Sequence, residues 1–204
     1  MKLNAQELRT ADEEEIKLKL TSLKRHPIYF ILENIYDTYN IGGLFRLADA
    51  LSITKMYICG QSEIPPNAKI KKASISTYKI VPWEYKKTAA EAIIDLKSSV
   101  VSRQSLVKDK PLIQEPTTID QRHSVQIVAI EQDAKSVPYT EIEYHSSVAL
   151  LVGNETSGVL PETLALCDHI AEIPMWGINR SLNVIVSAAI VSYHAMGKLM
   201  SNDK

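Results

Sequence analysis

Short, largely apolar runs of strand length, each separated from the next by a helical or loop stretch, constrain this chain more than any other feature. The first is Ile28-Tyr29-Phe30-Ile31-Leu32, the next spans residues 55–59, and three more cover 125–130, 148–152 and 170–173. Residues 78–81 read as a further short strand. Residues 41–51, 88–97 and 182–200 carry helical patterns between or after them. Strands apolar on both sides and alternating with helices predict an α/β fold: a mainly parallel, buried sheet with helices on both faces. Residues 1–26, with Leu8, Ile16, Leu18, Leu20 and Leu23 among alternating charges, read as an amphipathic helix ended by His26-Pro27. They form an N-terminal helical extension to one domain over 27–204. The polar stretch 108–122, with two prolines, reads as a connection.

Composition narrows the function classes. The 23 Lys and Arg against 24 Asp and Glu exclude a protein that coats nucleic acid through bulk charge. Charge is nevertheless segregated: residues 69–110 hold ten basic against four acidic side chains, whereas 111–204 hold five against eleven. The basic segment is either a solvated face or a landing surface for a polyanion. Two cysteines, Cys59 and Cys167, make no disulfide framework, so a cytoplasmic setting is expected. The first 15 residues lack a signal-peptide pattern, and no apolar run is read as reaching the ~20 residues of a membrane span. The histidines are scattered, and Cys167-Asp168-His169 is an isolated pair of ligand types, so no metal site is expected.

Glycine is scarce, and five of the seven fall in three short segments beside strand ends, which predicts one backbone-lined pocket. No GxGxxG, phosphate-binding loop or GxSxG elbow is present. The first segment is Asn40-Ile41-Gly42-Gly43-Leu44-Phe45-Arg46, with Asn40 placed as a helix cap. Arg46 either pairs with Asp49 or extends to solvent, or holds a phosphate with its planar fork. In the second, a buried strand opens into Gly153-Asn154-Glu155-Thr156-Ser157-Gly158. Glu155 either caps a following helix or meets a cationic group or a donor pair. The third runs from Ile173 through Met175, Gly177, Asn179 and Ser181 to Leu182-Asn183. Ser181 or Asn179 would cap the last helix, leaving Asn183 in its first turn.

In this order the three segments resemble the three motifs of the SpoU family of RNA ribose 2'-O-methyltransferases, within the SPOUT superfamily. IPMWGINRSLNV and LVGNETSGVLPE carry the likeness most specifically, and Asn40 and Arg46 keep the family spacing. Two departures stand out: Asp37-Thr38-Tyr39-Asn40 lacks the usual proline, and Val184-Ile185-Val186 replaces small polar residues after the last motif. The resemblance implies a C-terminal deep trefoil knot, a homodimer, and S-adenosyl-L-methionine as cofactor. Gly153, Ile173 and Leu182 match cofactor-binding positions, with Met175, Ser181 and Ile130 as neighbours.

It further implies methyl transfer to a 2'-hydroxyl of structured tRNA or rRNA, with Arg46, Asn40, Glu155, Ser181 and Asn183 as catalytic residues. A guanidinium holds its proton far above neutral pH, so Arg46 is expected to clamp phosphate and stabilise oxyanion charge rather than act as a base. Lys69, Lys71, Lys72, Lys79, Lys86 and Lys87 are the candidates for RNA backbone contacts. A catalytically silent RNA-binding or assembly factor is the alternative, disfavoured because Asn40, Arg46, Glu155 and Asn183 are all present.

Overall fold

In the computed structural model, residues 4–10, 16, 20–105, 125–145 and 147–202 are described. Seven strands form one sheet: β1 (His26–Glu33), β2 (Ile53–Cys59), β3 (Trp83–Lys86), β4 (Gln126–Ile130), β5 (Val137–Pro138), β6 (Val148–Val152) and β7 (His169–Glu172), in the order β3-β2-β1-β6-β4-β7-β5. Every pairing among them is parallel. The helices are α1 (Ala5–Thr10), α2 (Thr38–Ala50), α3 (Ala68–Ser74), α4 (Ala89–Ser105), α5 (Pro161–Leu164) and α6 (Val184–Asn202).

Strand alternation divides the core between the two faces. Ile28, Phe30 and Leu32 of β1, with Val148 and Leu150 of β6, point to the face covered by α2 and α6. Tyr29, Ile31, Ala149 and Leu151 point to the face where α4 lays Ala89, Ala92, Ile93 and Leu96. Each large apolar side chain so enclosed contributes about 1.5–3 kcal/mol, which is why both faces of the central strands are apolar. Gly42 and Gly43 sit inside α2, where a Cβ would collide with Ala73 of α3 and with Ile185 of α6 respectively. These glycines therefore serve close helix packing and do not line a pocket, correcting their place in the expected glycine-lined site.

Several boundaries differ from expectation. Residues 77–79 form a 3-10 turn, and the strand predicted at 78–81 lies instead at Trp83–Lys86, where β3 closes the sheet edge. The cap of α2 is Asp37, whose carboxylate accepts from the Tyr39 N–H at 2.8 Å; Asn40 is within the helix. The connection at 108–122 and Leu18 lie outside the described residues. By length and composition α6 is apolar enough to cross a membrane, with a mean hydropathy of 1.3 over residues 184–201, which corrects the reading that no run approaches that length. Its inner face carries Ala188, Val191, Ala195 and Leu199 into the core.

Candidate functional site

A cavity of about 490 Å³ opens at the carboxyl ends of β4, β6 and β7, where ligands of open α/β sheets sit. Ile130 and Glu131 close β4, Val152 and Gly153 close β6, and Ile173 follows β7. The loop from Met175 to Asn183 and the first turn of α6 complete the wall. Ile130, Gly153, Ile173, Met175, Ser181 and Leu182, predicted from separate parts of the sequence, thus line one cavity. Gly177 lies on the outer side of its loop, where a Cβ would meet nothing.

Asn154 and Glu33, which the sequence did not single out, shape the wall together with Glu131, which was expected at the end of its strand beside Ile130. Asn154 is buried; its Oδ1 accepts from the Thr156 and Ser157 N–H groups at 2.9 and 3.0 Å, and its Nδ2 donates to the Asn34 carbonyl at 2.8 Å. Glu131 accepts from the Val159 N–H at 3.0 Å. Glu33, at the end of β1 and 3% exposed, accepts from the Leu160 N–H at 2.9 Å and the Thr163 hydroxyl at 2.6 Å. Two carboxylates therefore hold the far end of the glycine-bounded loop. Gly158 completes it with φ of +70°, a conformation that a side chain resists, and its Cβ would strike the Glu131 carboxylate. A polar residue that closes an otherwise apolar strand is the signal that would have found Glu33.

At the rim, one hydrogen-bonded chain joins the three motif segments. Asn183 Nδ2 donates to Asn40 Oδ1 at 3.0 Å, and Asn40 Nδ2 donates to Glu155 Oε1 at 2.9 Å. The Glu155 carboxylate also accepts from the Tyr36 and Asp37 N–H groups at 3.3 and 3.2 Å. Glu155 thus meets donors from the α2 side and caps no following helix. Burial alone would raise its carboxyl pKa; the hydrogen bonds from Asn40 and from backbone N–H groups outweigh it and hold the group below its usual range. Asn183, not Ser181 or Asn179, starts the last helix: its Oδ1 accepts from the Ile185 N–H at 2.8 Å. The Ser181 N–H donates to Asn179 Oδ1 at 3.1 Å.

Arg46 stands apart from the cavity. It lies six residues beyond Asn40 on α2, about 9 Å along the axis at 1.5 Å per residue. Its side chain is exposed, with no hydrogen-bond or ion-pair partner among the described residues; the expected alternative of pairing with Asp49 is not formed. Lys69, Lys71 and Lys72 are exposed along α3, and Lys79 and Lys87 are exposed nearby. Lys86 differs: its ammonium meets Glu84 at 2.7 Å and Asp95 at 3.4 Å, so that charge is already matched within the fold. Burial pushes both cysteine thiols up to about 12, which leaves neither as a nucleophile at neutral pH. Among the described residues, no group of three or more His, Cys, Asp or Glu is placed to hold a metal ion.

The model of the SpoU rRNA Methylase family matches residues 27–118 and 113–193. A tRNA (guanosine(18)-2'-O)-methyltransferase of Aquifex aeolicus is 29% identical over 163 residues, covering 80% of this chain and 65% of that protein. A 23S rRNA (guanosine-2'-O-)-methyltransferase of Xylella fastidiosa is 25% identical over 189 residues, covering 93% and 66%. The chain spans just under two thirds of the length of these relatives. Among solved structures, an AdoMet-bound rRNA methyltransferase from Sinorhizobium meliloti superposes with a TM-score of 0.66 at 26% identity, covering 88% of this chain and 60% of that one. The A. aeolicus TrmH/SpoU tRNA modifying enzyme shares the fold, with a TM-score of 0.70 at 22% identity over 94% and 85% of the two chains.

Proposed function

The chain belongs to the SpoU methylase family, and on that premise we propose that it is an enzyme transferring a methyl group from S-adenosyl-L-methionine to a ribose 2'-hydroxyl of tRNA or rRNA. The observation that carries the reading is the chain Asn183–Asn40–Glu155 at the rim of the strand-end cavity. At about 490 Å³ the cavity falls within the ~300–1,000 Å³ of small-molecule sites. Its lining fits the cofactor: Ile130, Ile173, Met175 and Leu182 offer apolar surface to a flat base, and Gly153, Glu131 and Ser181 offer polar and peptide groups to a sugar and an amino acid. Once bound there, the cofactor supplies an electrophilic methyl group.

The protein's own residues position the acceptor. Glu155, held ionised, takes the Asn40 amide hydrogen while Asn183 donates to the Asn40 oxygen, so the Asn40 amide has one orientation. Its remaining hydrogen and lone pair are left to orient the ribose. Arg46 clamps a neighbouring phosphate and offsets charge that develops on the hydroxyl oxygen. Holding the reacting atoms in line accounts for up to ~7–11 kcal/mol of barrier reduction. Lys69, Lys71, Lys72 and Lys87 follow the RNA backbone.

A second copy of the chain completes the assembly. Large apolar side chains of α6, Val186, Tyr193 and Met200, are left exposed, as are Trp176 (92%) and Ile178 on the adjoining loop, a surface that a second copy would cover. In such a homodimer Arg46, exposed on α2 and apart from its own chain's cavity, is the residue we propose reaches the partner's cavity. The family's C-terminal trefoil knot is the threading we propose for residues 125–202, in which β6, inserted between β1 and β4, precedes the return through β7 and α6.

The test is incubation with methyl-labelled S-adenosyl-L-methionine and total RNA lacking the modification, followed by digestion and nucleoside mass spectrometry. The expected product is a 2'-O-methylnucleoside, whose base also narrows the substrate; Arg46→Ala should abolish it without changing cofactor affinity. Cofactor binding with no methylated ribose in any RNA would reject the reaction and favour a silent RNA-binding factor.

A further inference from the structure

We propose that a second, shallower cleft beside the rim takes up an unpaired nucleobase of the RNA, distinct from the reacting nucleotide. The proposal rests on the RNA reading above. The cleft is lined by Tyr36, Asp37, Tyr39, Glu63, Asn67 and Lys69. Tyr36 and Tyr39 expose 55% and 53% of their surface there, where neither contributes to either core cluster.

The Tyr36 ring and the Tyr39 backbone are held in place. The Tyr36 hydroxyl donates to Gln61 Oε1 at 3.1 Å, and its backbone N–H donates to Glu155. The Tyr39 N–H is fixed by the Asp37 carboxylate, and Tyr39 directly precedes Asn40 on α2. An anchored ring loses little freedom when a base stacks on it. The carboxylate that orients Asn40 also fastens the loop carrying Tyr36, so a base in this cleft sets the register of the strand that enters the cavity.

Charge selects the occupant. Asp37 and Glu63 repel a phosphate from the cleft, whereas a neutral base presents amino and imino N–H groups that carboxylates accept. Lys69 on the cleft wall, with the exposed Lys71 and Lys72 farther along α3, is suited to the phosphates on either side of that base. Aromatic faces for bases beside a cationic track for the backbone are the arrangement that single-stranded RNA requires.

The experiment uses the full chain with total RNA under ultraviolet crosslinking, mapping crosslinked peptides by mass spectrometry. It also measures affinity for bulk tRNA and for fragmented rRNA by filter retention, and S-adenosyl-L-methionine affinity by calorimetry. Crosslinks are expected on the peptide holding Tyr36 and Tyr39. The pair Tyr36→Ala and Tyr39→Ala should weaken RNA binding at least about tenfold, since one stacked base contributes roughly 5- to 150-fold. The salt dependence should stay unchanged because no phosphate contact is removed. Cofactor affinity should also stay unchanged, and Tyr39→Trp should retain or improve RNA binding. RNA binding within twofold of the unaltered protein, or crosslinks only elsewhere, would overturn the proposal and leave the cleft to another occupant such as a protein segment. If the unaltered protein binds cofactor but no RNA, the RNA reading itself fails and takes this proposal with it.

Discussion

Replacing Glu33 should couple stability to cofactor binding in a way that the two variants Glu33→Ala and Glu33→Gln can separate. The Glu33 carboxyl group is buried and receives two donors, the Leu160 N–H at 2.9 Å and the Thr163 hydroxyl at 2.6 Å. Alanine strands both donors away from bulk water, at about 1–3 kcal/mol each, so the expected loss is about 3 kcal/mol. For a domain of this size that lowers Tm by roughly 6–12 °C. Glutamine fits the same space: its oxygen accepts from Leu160, and its amide donates to Thr163, whose hydroxyl can turn to accept. Its cost should be about 1 kcal/mol. Because Leu160 ends the loop lining the cavity, the alanine variant should also bind S-adenosyl-L-methionine several-fold more weakly, whereas the glutamine variant should bind it nearly as the parent does. Chemical denaturation and calorimetry measure the two quantities. A loss below 1 kcal/mol for alanine, or equal losses for both variants, would refute the idea that hydrogen bonding at Glu33 holds this loop.

Gly158→Ala should cost about 1–2 kcal/mol from its left-handed backbone alone, and the clash with Glu131 should weaken cofactor binding; a neutral substitution in thermal melting would contradict the φ of +70°. His194 packs edge-on to Tyr139 and Tyr144, and burial, followed by the nearby Lys198 charge, lowers its pKa below the ordinary 6.5. The fold favours the neutral ring, so its contribution is fully present above pH 6.5 and is lost as pH falls through the depressed folded value. His194→Phe should flatten the stability profile below pH 6.5, and an unchanged slope there would count against this. Reversing Lys69, Lys71 and Lys72 to Glu should weaken RNA binding and reduce its salt slope, whereas Lys86→Ala should leave that slope unchanged; a large effect at Lys86 would mean its ion pairs open on binding.

The sheet was readable because burial on both faces writes itself as apolar runs, and β1, β2, β4, β6 and β7 were all anticipated within a few residues. Elements that bury little left weaker traces. The α3 helix has seven residues and is capped by Asn67, and β3 is an edge strand whose sequence, Trp83-Glu84-Tyr85-Lys86, mixes aromatic and charged side chains. At the site, the identities of Asn40, Glu155 and Asn183 were legible, but their joining was not, since it depends on contacts across more than one hundred residues. Placing the α2 cap at Asn40 rather than Asp37 hid the inward turn of the Asn40 amide. The two partners of Lys86 are likewise set by tertiary packing, Asp95 coming from α4, so a count of basic residues could not separate it from the exposed lysines on α3.

The sheet order has a consequence for how the chain is made. β1 finds β2 within a few tens of residues, but its other neighbour, β6, begins 115 residues after β1 ends. At a synthesis rate of about 5–20 residues per second, β6 follows β1 off the ribosome by roughly 6–23 s. Through that interval the hydrogen-bonding edge of β1, among the most apolar strands in the molecule, has no partner of its own. Such high contact order makes folding slow and leaves a sticky half-sheet as the dominant species during translation. Truncations that stop before residue 148 should therefore aggregate or bind chaperones rather than persist as a stable half-domain.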